Sequence, residues 1–324
     1  MSEEVSIAGG LNVLFWGMPF GVSTLVLQRL LDSGVGVACV VLPADAVPHL
    51  LADPRSPWSR LEPPAQPGRL MLSNHTTGGT LEVAWAAGLP VFAVGDLSHG
   101  DTLALFAALG ADLAVVGCFT HRIPHAVRQI PRLGFLNLHP SLLPAYRGPT
   151  PVFWQLRDGA ETGVTVHYMD AGLDTGDIAA QAAVPLPDGI GEAAAEQRLM
   201  LNGVELLRGV LAELAEGMVR RRPQPPGGSY FGFPGEVDFA LATEWPARRA
   251  YNFMRGTAAR GLPYTVDIAG RTELLATADH YEGDLILDRE SVRHSRNILI
   301  QFNPGVLYTT SLILNGCSYS RALE

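Results

Sequence analysis

What most constrains the fold of this chain is the alternation, through its first half, of short apolar β-rich runs with stretches of helical periodicity. Residues 11–17 (LNVLFWG) read as a strand and residues 35–42 (VGVACVVL) as another. Between them Val22, Leu25, Val26 and Leu30 recur at helical spacing, which buries one face of a helix against the strands. The alternation resumes with a helix near 79–87, a strand at 90–94, a helix near 101–109 and strands at 112–118 and 134–139. A helix near 149–157, strands near 162–169 and 177–186 and a long helix from about 191 to 217 complete it. The pattern predicts an α/β domain on a mostly parallel sheet. Prolines, aspartates and serines interrupt residues 43–77, which read as a long loop with short turns.

The remainder has a different texture. Residues 220–234 (RRRPQPPGGSYFGFP) read as a stiff, structureless connector. Beyond it come a helix near 243–255 and short strands at 264–268, 283–288, 296–302 and 305–312, which predict a smaller β-rich domain. The expected division is 1–219, a linker at 220–234, and 235–324.

Composition narrows the class. With 47% apolar and 17% charged residues the chain is of ordinary globular type, and no apolar run reaches the ~20 residues of a spanning helix. The opening MSEEVSIAGG has two glutamates and no basic residue, unlike a secretory leader, so cytoplasm is the expected compartment. Cys39, Cys118 and Cys317 are widely spaced, with no zinc or disulfide pattern, and read as small buried hydrophobes. Every basic residue is an arginine and the net charge is -9, which does not favour bulk attraction of nucleic acid.

Two segments carry chemistry: Asn137 to Gly148 (NLHPSLLPAYRG) and Thr162 to Asp177 (TGVTVHYMDAGLDTGD). Each begins in a predicted strand and runs past its carboxyl end, the edge at which open α/β sheets bind ligands. Asn137 and His139, two apart on a strand, project from one face. An acyl transfer to an amine develops an oxyanion, and fixed donors such as an amide and an imidazole stabilise it. The attacking nitrogen must also lose a proton, and Asp174, in a glycine-rich turn, is the candidate base, acting directly or through water, or by holding the histidine's protonation state. Gly172 and Gly176 are read as allowing the backbone conformation that presents Asp174.

The pattern N-x-H-P-S-L-L-P-x-x-R-G followed by G-V-T-V-H-x-M-D-x-G-x-D-T-G-D resembles the folate-dependent formyltransferases, a superfamily that acts on methionyl-tRNA, glycinamide ribonucleotide or amino sugars. The layout is most similar to the tRNA branch. The resemblance spans Leu11 to about Pro187, with its strong motifs in residues 134–177. It implies a Rossmann-like formyltransferase domain followed by an open barrel-like one, 10-formyltetrahydrofolate as co-substrate, no metal, and Asn137, His139 and Asp174 as the catalytic set. By carry-over it places Thr120, Arg122 and Ile123 beside the folate, opposite Met169, Asp170 and Leu173. The acceptor amine is methionyl-tRNA or, given that residues 43–77 carry only Arg55, Arg60 and Arg69, an amino sugar or another metabolite amine. Hydrolysis of the formyl-folate and a non-catalytic binding module are the other readings.

Arg147 and Ser141 are the candidates for contact with the acceptor. Arg147 is equally read as an ion-pair partner of Asp158 or a turn cap. Ser141 lacks a G-x-S-x-G elbow, which favours a turn role over a nucleophile. Asp177 reads as a turn or cap residue. His121 and His125 have metal-like spacing, but Pro124 between them argues against a helix and no carboxylate motif accompanies them. The glycines of G-M-P-F-G (17–21) do not form a dinucleotide fingerprint.

Overall fold

The computed structural model describes residues 10–64 and 79–312. In chain order its elements are β1 (Val13–Gly17), α1 (Val22–Asp32), β2 (Val37–Pro43), β3 (Trp58–Leu61), α2 (Thr80–Ala86), β4 (Val91–Val94), α3 (Gly100–Ala108), β5 (Leu113–Gly117) and α4 (His125–Arg128). There follow β6 (Phe135–His139), α5 (Pro151–Asp158), β7 (Gly163–Tyr168), β8 (Ile178–Ala183) and α6 (Glu192–Ala215). The last stretch holds β9 (Ala240–Leu241), α7 (Ala247–Thr257), β10 (Tyr264–Ile268), β11 (Arg271–Glu282), β12 (Ser291–His294), β13 (Asn297–Gln301) and β14 (Val306–Ser311).

The chain divides into two compact units. Met1–Arg147, Gly163–Val184 and Glu196–Ser229 make the first, and Gly148–Thr162, Pro185–Ala195 and Tyr230–Glu324 the second.

The first unit is built on an eight-stranded sheet of order β3-β4-β2-β1-β5-β6-β7-β8. The pairs from β4 through β6 are parallel, while β3, β7 and β8 join antiparallel, so the sheet is Rossmann-like and mostly parallel. Its central strands are apolar on both faces, as a parallel strand covered from both sides must be. On one face Val13 and Phe15 meet Val26, Leu27 and Leu30 of α1 and Val204, Leu207 and Leu211 of α6. On the other, Leu14 and Trp16 meet Phe106 of α3 and Val127 of α4. Each such side chain contributes about 1.5–3 kcal/mol by leaving water. Because β1 lies between β2 and β5, the strand order reverses there, which opens a crevice at the carboxyl ends of β1 and β5.

Two sequence expectations for this unit change. The interrupted stretch contains 3-10 turns at Ala44–Ala46 and Pro48–Leu50 and the edge strand β3; the rest of it, residues 65–77 with Arg69, lies outside the described residues. Only Leu61 of β3 is buried, so the strand has no apolar alternation to betray it. Among the cysteines, Cys39 is buried, with its thiol pushed up to about 12 by that burial, but Cys118 is exposed, and Cys317 lies outside the described residues.

The second unit carries a six-stranded open sheet of order β12-β13-β14-β11-β10-β9, antiparallel except for the β9–β10 pair. Phe153 of α5 and Phe253 of α7 meet with ring centroids 5.4 Å apart, and Phe239 and Tyr264 stand 5.4 Å and 5.7 Å from those two rings respectively. Here the sequence reading misses β11 and misassigns 283–288. Ala269 (φ 52) and Gly270 (φ 73) form a two-residue turn of the kind that favours hairpins, so the chain returns at once as β11. Its charged, half-exposed run RTELLATADHYE hides the strand. The apolar run GDLILD at 283–288 instead lies outside any strand, with Ile286 81% exposed.

No helix among the described residues is long and apolar enough to cross a membrane.

Candidate active site

The site grows out of β6 and its antiparallel neighbour β7. Leu136, Leu138 and Val166 turn into the core beneath the sheet, so Asn137, His139 and His167 share the opposite face. The register sets Asn137 directly across from His167. Phe135, on that same face, ends the apolar cluster that contains Trp16 and Phe119, and the polar group begins one step further along the strand.

Asp174 arrives from the loop between β7 and β8. Met169 N donates to Phe135 O (2.8 Å) and Tyr168 N to Asp177 O (2.9 Å), which pins both ends of that loop to the sheet. Inside it, Asp170 Oδ1 accepts from Gly172 N (3.0 Å) and Thr175 Oγ1 (2.6 Å). The left-handed conformation belongs to Asp174 itself, at φ 55, not to the glycines. Aspartate is among the few residues that tolerate it. Gly176 is required for another reason: a Cβ there would fall against the Tyr168 carbonyl.

The three sequence candidates meet. Asp174 Oδ2 lies 3.7 Å from His139 Nδ1, and Asp174 Oδ1 lies 3.5 Å from Asn137 Nδ2. His167 adds a fourth member, with its Nε2 3.1 Å from Asn137 Nδ2 and 3.6 Å from Asp174 Oδ1. Backbone carbonyls fix the tautomers. His167 Nδ1 donates to Tyr168 O (3.0 Å), so in the neutral ring Nε2 accepts from Asn137. His139 Nε2 donates to Tyr146 O (2.8 Å). His139 is 4% exposed, and burial holds its pKa below the ordinary value against the opposing pull of Asp174 and of the Tyr146 carbonyl; His167 adds a further downward push. The ring is therefore neutral near pH 7, with the lone pair of Nδ1 facing a carboxylate.

The residues expected around a folate divide. Ile123 is buried and Met169 half-buried in the cluster with Trp16, Phe119 and Phe135, which gives an apolar wall. Thr120 and Arg122 are exposed on the turn after β5, and Arg122 Nη2 donates to Ala171 O (2.9 Å), which ties that turn to the Asp174 loop. Leu173 is 55% exposed there, an apolar side chain in water, while the Asp170 carboxylate is spent on capping its own loop. An apolar wall beside two turns whose side chains are exposed fits a flat, polar-edged ring system.

Of the acceptor candidates, Ser141 is fully buried and donates to Ala145 O (2.7 Å), a turn role that leaves it no surface for a substrate. Arg147 donates from Nε (3.2 Å) and Nη2 (2.6 Å) to Gln224 Oε1. His125 opens α4 despite Pro124, since a proline immediately before a helix sacrifices no helical hydrogen bond. His121 Nε2 lies 3.4 Å from Asp45 Oδ2.

Sequence reasoning passed over His167 and Gln224. The alternation of β7 was the signal for the first: Val164 and Val166 point one way, and His167 must point the other. Gln224 sits in a proline-rich run with no periodicity, so nothing in the sequence announces it.

Comparison with known proteins gives a consistent answer. A family model described as formyl transferase matches residues 83–211. The chain is similar to the methionyl-tRNA formyltransferase of Synechococcus sp. strain JA-3-3Ab, at 38% identity over 66% of this chain and 68% of the relative. It is similar also to that of Geobacter metallireducens, at 33% identity over 66% of this chain and 62% of the relative. Among solved structures, the N-formyltransferase from Helicobacter canadensis, in complex with folinic acid and dTDP-3-aminofucose, shares the fold with a TM-score of 0.61. It is 13% identical, and the match covers 94% of this chain and all of that one.

Proposed function

This chain belongs to the formyl transferase family, and from that premise we propose that it is a 10-formyltetrahydrofolate-dependent N-formyltransferase that delivers the formyl group to an amine. The observation that carries the reading is the meeting of Asn137, His139 and Asp174 at the carboxyl end of β6, within 3.5–3.7 Å of one another through the Asp174 carboxylate. Ile123 and Met169 would line the folate ring, with Thr120, Arg122, Asp170 and Leu173 around its edges. When bound, the folate supplies the formyl carbon and a leaving nitrogen that ends by taking up a proton.

Asn137 Nδ2 is the donor to the formyl oxygen as that oxygen gains charge. Its 3.1 Å bond to His167 keeps the amide aimed, and its long contact with Asp174, at 3.5 Å, is the one it exchanges for the substrate. A donor of this kind supplies about 10²–10³ in rate. His139 Nδ1 and Asp174 Oδ2 both accept, so an amine N–H held between them gives its proton to the pair. Once His139 holds that proton, its Nδ1–H is a second donor to the same oxygen. The proton then passes to the leaving nitrogen, so one C–N bond forms, one breaks and no proton is gained or lost.

For the acceptor we propose methionyl-tRNA, supported by the identity to enzymes of that name over about two thirds of their length. Charge favours a second reading, an amino sugar or other metabolite amine. The net charge is -9, lysine is absent, and Arg55 and Arg60 pair locally with Asp53 and Glu62. On either reading the reaction belongs to cytoplasmic one-carbon metabolism. The test is release of tetrahydrofolate from 10-formyltetrahydrofolate with charged initiator tRNA, with amino sugars and with water alone. Salt-sensitive transfer to tRNA supports the first acceptor. Transfer only to small amines selects the second, and release with water alone replaces transfer by hydrolysis.

A further inference from the structure

The segment after α6 that reads as a connector is irregular in conformation but firmly anchored. Arg222 forms reciprocal backbone bonds with Ile178, at 2.8 and 3.0 Å. Gln224 Nε2 donates to two carbonyls of the catalytic loop, Asp174 O and Gly176 O, each at 2.8 Å. Its Oε1 is held in turn by the two bonds from Arg147. Ser229 then grips the other side of the site: its carbonyl accepts from Arg147 N (3.0 Å) and its Oγ from Tyr146 N (2.9 Å). Tyr146 supplies the carbonyl that orients His139. Gly228 lets the segment lie this close, because a Cβ there would overlap the Pro144 carbonyl.

Two non-glycine residues of the site adopt left-handed backbone, Tyr146 at φ 59 and Asp174 at φ 55. A conformation this unfavourable persists only when its surroundings over-determine it. Both are held by the same segment, Tyr146 through Ser229 and Asp174 through Gln224. His139 is oriented by one and the carboxylate belongs to the other, so a single segment, a strap, touches both sides of their separation.

We propose that Gln224 is a positioning residue for the transfer step: its carboxamide, itself fixed by Arg147, holds the Asp174 carboxylate at its spacing from His139 and Asn137. The proposal rests on the formyl-transfer reading for its kinetic consequence, and it assigns Arg147 to the strap.

Two variants separate this role from simple loss of fold. Gln224→Ala removes both donors and the acceptor, whereas Gln224→Glu keeps the acceptor for Arg147 and sets a carboxylate against the Asp174 and Gly176 carbonyls. Both should lower kcat by about 10- to 100-fold, the effect of an ångström-scale misplacement, with KM for the formyl-folate within about threefold of wild type. The titration of His139, followed by 15N NMR of the imidazole, should shift further down in both. Of the groups that face His139, the Asp174 carboxylate and the Tyr146 carbonyl raise its midpoint and His167 lowers it, and loss of the Gln224 bonds lets the first of these withdraw. If kcat stays within twofold in both variants, or falls only in step with thermal stability while His139 titrates as in wild type, the proposal is overturned. A wild-type enzyme that releases no tetrahydrofolate with any amine or with water would sink the functional reading instead. The His139 titration would then still decide whether Gln224 sets this geometry.

Discussion

His139 and Asp174 face each other across 3.7 Å with two proton acceptors, a neutral imidazole nitrogen and a carboxylate oxygen. The Tyr146 carbonyl dictates this by taking the ring's only proton on the far side. Asp174→Asn keeps a side chain that tolerates left-handed backbone but replaces the acceptor facing His139. Turnover should fall by about 10²–10⁴-fold, while binding of the formyl-folate, measured at equilibrium, changes by less than about threefold. Turnover near wild type would remove Asp174 from the chemistry.

The depressed pKa of His139 has a stability consequence. Above about pH 6.5 the ring is neutral in both folded and unfolded chains and contributes no slope. As pH falls below that value the unfolded chain takes up the proton first, so stability drops until the folded-state pKa is passed. His139→Gln should flatten denaturant-derived stability between pH 6.5 and the folded-state midpoint; an identical slope in the variant would show that other groups govern it.

His167 acts through Asn137. Its Nε2 accepts one amide hydrogen at 3.1 Å and so directs the other toward the reacting centre. His167→Ala should lower kcat by about 10-fold and Asn137→Ala by about 10²–10³-fold. Because one acts through the other, the double variant should be little worse than Asn137→Ala alone. Additive losses in a double-mutant cycle would mean that the two act separately.

Gly176→Ala places a methyl group against the Tyr168 carbonyl at the base of the catalytic loop. Relief requires the loop to lift from the sheet, at a cost of about 1–3 kcal/mol in chemical denaturation and a loss of turnover with it. A variant of normal stability and activity would show that the loop accommodates the methyl without moving Asp174.

Phe253 stands among Phe153, Phe239 and Tyr264 in the second unit, fully buried. Phe253→Ala should cost about 3–5 kcal/mol by calorimetry or denaturant titration. A loss under about 1 kcal/mol would mean that the aromatic group collapses around the cavity.

Much of this was legible in the sequence, and what escaped did so for physical reasons. Asn137 and His139 share a face by strand parity, and the parallel sheet follows from apolar runs spaced by helical periods. Strand β11 was hidden because half its side chains face water, and the apolar 283–288 run misled because burial, not hydrophobicity, is what a sheet registers. Asp174 could be named from its motif but not its φ of 55, and the bond that its carbonyl accepts comes from Gln224, fifty positions later. Gln224 itself carries no pattern: a single amide that bonds two carbonyls is a tertiary fact.

The interleaving of the two units bears on synthesis. Phe153 leaves the ribosome well before Phe239, Phe253 and Tyr264 exist, and at ~5–20 residues per second it waits on the order of ten seconds for the partners that cover it. During that interval the apolar face of α5, with Val152, Phe153 and Leu156, has yet to meet the rings that bury it. A graft of residues 230–324 between relatives would meet the same difficulty, because it would bring Phe239, Phe253 and Tyr264 and leave Phe153 behind.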